Sequence, residues 1–97
     1  MTTLDQIAGK IIKEQEFIVG PIAWNEAKKV RGIRVIDSNT HTVTIENGDA
    51  KEVINKLVSQ YERLFGRASH EVCRDAVANI ITELPLTDVP SSLAPQA

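Results

Sequence analysis

A chain of 97 residues and 10.7 kDa has room for one hydrophobic core and no second domain. Its 42% hydrophobic and 25% charged residues are the composition of a folded globular domain and exclude a disordered, collagenous or disulfide-stapled chain. Eleven Lys plus Arg against thirteen Asp plus Glu leave a formal charge of −2, which excludes a global electrostatic pull toward nucleic acid or an anionic membrane.

In chain order, Leu4, Ile7, Ile11, Ile12, Ile18 and Val19 recur at helical spacing and predict a first amphipathic helix over 5–19. Thr3 followed by Gln6 has the form of a capping box at its start. Gly20-Pro21 stops this helix and opens a second, over 21–31, with Ile22, Ala23, Ala27 and Val30 turned inward. From Gly32 to Glu46 the period drops to two. Ile33 and Val35 alternate with Arg34, and Val43 and Ile45 with Thr42 and Thr44, so 32–46 reads as a β-hairpin turning at Ser38-Asn39-Thr40.

Asp49 with Glu52 forms a second capping box and opens a third helix, whose seam is Val53, Ile54, Leu57, Val58, Tyr61, Leu64 and Phe65. Gly66 ends it. Ser69 is expected to cap a fourth helix with the seam Val72, Cys73, Ala76, Val77, Ile80, Ile81 and Leu84, closed by Pro85. The Pro-rich segment 85–97 is expected to be a flexible tail, mobile or loosely docked.

Shifting the sequence by 46 residues superposes Ile7 on Val53, Ile11 on Leu57, Ile12 on Val58 and Gly20 on Gly66, which suggests a quasi-repeat of 4–31 and 50–77. Shared amphipathic phase alone gives part of such a match. The expected fold is α+β: a single domain over 1–84, built as two helical hairpins (four helices) flanking a central two-stranded β-hairpin in the order ααββαα. An isolated ribbon leaves its edges unpaired. Either the last two helices cover it, or a second copy completes a sheet at the hairpin edge marked by Val43 and Ile45, giving a homo-oligomer.

Residues that carry chemistry do not converge. Cys73 is the single cysteine and cannot form an intramolecular disulfide. With His70 it makes His-x-x-Cys, but two further metal ligands are missing from the pattern, and Cys73 lies in an apolar stripe that suits a buried thiol. No metal, cofactor or catalytic residue is expected. Carboxylates are scattered over polar helix faces, and the glycines form no phosphate-binding loop. The chain starts without the basic and apolar runs of a secretory signal and has no membrane-spanning run, so a cytoplasmic protein is expected.

Lys28, Lys29, Arg31 and Arg34 concentrate positive charge beside Trp24. On a helical wheel Trp24 falls next to Lys28 and Arg31, off the inward face. Half exposed there, it would have the composition of a protein-interaction hot spot; folded over, it would close the core. The candidate interaction residues are therefore Trp24, Lys28, Arg31, Arg34, Val43 and Ile45. The same basic patch supports an alternative, a nucleic-acid-binding regulator, because two helices joined by a short glycine turn have the outline of a helix-turn-helix. Against this stand the tightness of Gly20-Pro21 and the acidic remainder of the chain.

The segment Phe17-Ile18-Val19-Gly20-Pro21-Ile22-Ala23 resembles the Gly-Pro-Ile/Met-Ala motif of small helical domains in bacterial signalling and gliding or chemotaxis-type regulators. The resemblance covers about twenty residues, and the inserted β-hairpin departs from it. It implies a regulatory interaction module without catalysis. The expected function is thus a small cytoplasmic protein-interaction or regulatory domain that associates with another protein or with itself.

Overall fold

The computed structural model describes residues 3–37, 39–40, 42–46 and 48–94. Its elements are α1 (Thr3–Val19), α2 (Ile22–Lys28), β1 (Ile33–Asp37), β2 (Thr42–Ile45), α3 (Ala50–Phe65) and α4 (Arg67–Ile81), followed by short 3-10 turns at Leu86–Asp88 and Ser91–Leu93. The fold is α+β in the order ααββαα.

The apolar period of α1 buries Ile7, Ala8, Ile11 and Ile12 on one face, and Gln15 continues that face. The helix runs on to Gly20, whose amide donates to the Glu16 carbonyl at 2.8 Å and whose φ of 79° turns the chain out of the helix. Pro21, at φ −59°, then starts α2. This helix is shorter than the predicted 21–31. Lys29 and Val30 donate to the carbonyls of Glu26 and Ala27, three residues back, so the last turn tightens before Gly32 redirects the chain at φ 101°.

The two strands pair antiparallel, Ile33 with Ile45, Arg34 with Thr44 and Val35 with Val43, and a bulge between Val35 and Asp37 leaves Ile36 exposed. The expected turn residue Ser38 and nearby His41 lie outside the described residues. The hairpin lies on α1. Val43 is fully buried there, and the Ile45 amide donates to Asp5 Oδ1 at 3.0 Å. This corrects the expectation of an outer edge at Val43 and Ile45: the N-terminal part of α1, through Asp5, closes the β2 side.

Asp49, in an extended conformation, accepts from the Lys51 amide at 2.9 Å and caps α3. Val53, Ile54, Leu57, Val58 and Tyr61 form its buried face, whereas Leu64, placed on that seam by its spacing, is exposed because α3 ends one residue later. Gly66 alone separates α3 from α4, with φ 92° and ψ 178°. It lets α4 start at Arg67, so Ser69 is not the expected cap but a buried residue of the first turn, its carbonyl accepting from Gln15 Nε2 at 3.0 Å. Cys73, Val77 and Ile81 carry the buried seam of α4, which packs along α1 and α3.

Both units have a helix followed by a positive-φ glycine in register, but α2 has 7 residues where α4 has 15. The segment after Pro85 takes the docked one of its two expected placements. Pro90 and Leu93 are buried against α3 and α4, because two well-spaced apolar anchors and a run of hydrogen bonds suffice to dock a proline-rich strap.

A basic groove between the second and third helices

Two hydrogen bonds fix α2 beside α3. Tyr61 Oη donates to the Ala23 carbonyl at 2.7 Å, and Gln60 Nε2 donates to Glu26 Oε1 at 2.8 Å. They bring the end of α2 over the polar side of α3, where Glu52, Lys56, Ser59 and Arg63 follow one another at spacings of three and four. Between the two lies an open groove of about 480 Å³, walled by Lys29, Val30 and Arg31 on one side and by Glu52, Asn55, Lys56, Ser59, Gln60 and Arg63 on the other. A second hollow of about 310 Å³ reaches from Arg31, Glu52 and Lys56 to Gly48 and Asp49 at the start of α3.

Four cations and one carboxylate, Glu52, line the groove. Lys29 is paired with Glu26 at 2.9 Å, and this bond together with that from Gln60 holds the Glu26 carboxyl below its ordinary range. Arg63 donates to Gln60 Oε1 at 2.7 Å. Arg31 and Lys56 have no hydrogen-bond or ion-pair partner among the described residues. The groove therefore carries an excess of positive charge over the single carboxylate of Glu52.

Of the six candidate interaction residues, Arg31 alone lines this groove. Lys28 is exposed beyond it. Arg34 is bonded to Glu46 across the hairpin at 2.8 Å, which raises the guanidinium pKa and satisfies its charge. Trp24 takes the second of its two placements: it is only 5% exposed, inside the core, and its Nε1 donates to Glu16 Oε2 at 2.9 Å, so it is no protruding hot spot. Ile45 is half buried against the core and Val43 wholly so. The sequence reading missed Lys56, Asn55 and Arg63. Their seven-residue spacing from 56 to 63 marks one polar face of α3, but only the packing of α2 turns that face into a groove.

Cys73 and His70 do not form a site together. Burial pushes the Cys73 thiol up to about 11, and Gln15 Nε2 lies 3.3 Å from its sulfur. His70 is engaged instead by Glu62 and the Ser92 carbonyl. Among the described residues, no group of three or more His, Cys, Asp and Glu side chains could hold a metal ion, and no helix is long and apolar enough to cross a membrane.

A separate apolar surface flanks the glycine turns. Phe17, Ile18 and Ile22 border Gly20, and Leu64 borders Gly66; all four are exposed, Phe17 to 74%. The bonds from Gln15 to Ser69 and Cys73 bring the two turns to the same end of the molecule. Compared with known proteins, the chain matches no family model, no curated protein and no solved structure.

Proposed function

We propose that this chain is a small, non-catalytic regulatory interaction domain of a reducing, cytoplasmic compartment, which receives an acidic segment of a protein partner in the groove between α2 and α3. The observation that carries this reading is the pair Arg31 and Lys56, which line one groove where four cations face the single carboxylate of Glu52, and neither of which is held in an ion pair among the described residues. Like charges in a shared concavity repel, and an anionic ligand removes that repulsion while steering its own approach. Ser59 adds a neutral hydrogen-bonding group suited to a peptide backbone. The resemblance around Gly20-Pro21 agrees with a regulatory role.

Fluorescence polarisation of a short labelled peptide of mixed Glu and Asp tests the proposal. Arg31→Glu combined with Lys56→Glu should weaken binding by about tenfold, as expected for removing two rim charges of roughly 0.7 kcal/mol each. Equal binding by the double variant would overturn it. The nucleic-acid alternative has its own outcome: salt-sensitive retention of duplex DNA by the unmodified chain without retention of the acidic peptide.

Self-association is a second reading, supported by the exposed Phe17, Ile18, Ile22 and Leu64 at the turn end. Light scattering across a concentration series tests it. A dimer that Phe17→Glu dissociates supports this surface, and a monomer at every concentration removes it.

A further inference from the structure

The strap from Pro85 to Ala94 is held by contacts that engage its backbone as well as its side chains. Asn55 Oδ1 accepts from the Ser92 amide at 3.0 Å and from Ser92 Oγ at 2.6 Å, and Asn55 Nδ2 donates to Ser91 Oγ at 3.2 Å. Lys51 Nζ donates to the Thr87 carbonyl at 2.6 Å, while Pro90 and Leu93 are buried. His70 of α4 completes the set. Its Nδ1 lies 3.0 Å from Glu62 Oε2, and its Nε2 lies 2.6 Å from the Ser92 carbonyl oxygen.

A carbonyl oxygen can only accept, so Nε2 must carry a hydrogen in the seated strap. A second hydrogen must lie between Nδ1 and the Glu62 carboxylate. The ring and the carboxylate together therefore hold one proton more than a neutral imidazole beside an ionised Glu62. If that proton leaves, one contact fails: either the Nε2 lone pair faces the Ser92 carbonyl, or the Nδ1 lone pair faces the carboxylate.

We infer that His70, Glu62 and the Ser92 carbonyl form a proton-operated clasp, which fastens the C-terminal strap at mildly acidic pH and releases it as the pH rises, uncovering the α3–α4 surface beneath Pro90 and Leu93. The seated strap binds one proton more than the released one, so seating is favoured at low pH. The ratio of released to seated strap therefore grows as the pH rises. Glu62 is the ionisable side chain that α3 brings to the ring; on α4 itself Arg67 and Arg74 stand one turn to either side, and the strap carries one ionisable side chain, Asp88. Asn55 belongs to both the strap contact and the groove wall, so release also frees its amide for a ligand in the groove.

The test is backbone NMR of the full chain, following the order of residues 91–94 by heteronuclear NOE at about pH 5.5 and about pH 8, on either side of the ordinary histidine range. The wild-type strap should be ordered at the lower pH and lose order at the higher. Glu62→Gln should keep it ordered at both, because a carboxamide donates to the neutral Nδ1 and leaves Nε2–H for Ser92. Asn55→Ala should loosen the strap at every pH while keeping the transition. A wild-type strap equally ordered at both pH values, or a transition unchanged in Glu62→Gln, would overturn the inference.

Discussion

The Tyr61 phenol donates to the Ala23 carbonyl across 2.7 Å of otherwise apolar core, and this bond fixes how α2 lies on α3. Removing the hydroxyl in Tyr61→Phe leaves the ring packing with Phe65 intact and loses one buried hydrogen bond. A loss of about 1 kcal/mol in urea unfolding is expected. Because the same contact aligns the groove walls, Tyr61→Phe should also weaken acidic-peptide binding without touching a groove residue.

Alkaline pH should destabilise the fold through two buried acids. Burial raises the Cys73 thiol from 9.0 to about 11 and pushes the Tyr61 hydroxyl up as well. In the unfolded chain both ionise at their ordinary values, so their contribution is complete below about pH 9 and is lost as the pH rises toward 11 and beyond. Cys73 alone accounts for a decline on the order of 2–3 kcal/mol. Unfolding midpoints measured at intervals across that range check the slope, and Cys73→Ala should flatten it. At neutral pH a thiol reagent should label Cys73 only after denaturation.

Trp24→Ala should lower stability by about 3–5 kcal/mol, as expected for deleting a large buried aromatic side chain. Arg31→Glu, on the groove rim, should change stability by less than about 0.5 kcal/mol. Chemical unfolding followed by circular dichroism separates the two, and the native tryptophan fluorescence should be that of a shielded indole.

Gly66→Ala should cost about 1–3 kcal/mol, since φ 92° with ψ 178° is a region that only glycine enters readily. The space around a Cβ there is open, so the cost is conformational and not a clash. Asn should not rescue the turn, because it tolerates the left-handed helical region and not this extended one. Thermal unfolding of both variants checks the point.

Val43→Lys should unfold the hairpin from α1, because it places an unpaired charge at a fully buried position, whereas Ile36→Lys on the bulged strand should be tolerated. Loss of dispersed NMR signals from β1 and β2 in the first variant alone is the expected result.

The order ααββαα was legible because periods of 3.6 and 2 alternate cleanly along the chain and glycines mark the breaks. Trp24 was not, because its wheel position lies at the edge of the apolar face, and the Glu16 carboxylate that receives its Nε1 belongs to another helix. The inward direction of Val43 depended on α1 lying over β2, which alternation within a strand does not reveal. Pro90 and Leu93 form no periodic pattern, so docking of the strap left no trace in the hydropathy. The groove was half legible: the run from Lys28 to Arg34 was visible, but Arg31 meets Lys56 only through packing between helices.

Gln15 reaches from α1 to the Ser69 carbonyl and Cys73 sulfur of α4, across 54 and 58 residues of chain. During synthesis α1 emerges from the ribosome long before the helix it must pack against. Its Ile7, Ile11 and Ile12 face stays without this partner until residues 67–81 have been made. Packing of α1 then waits for the synthesis of α4, and the nascent first helix is the segment for which a chaperone would compete.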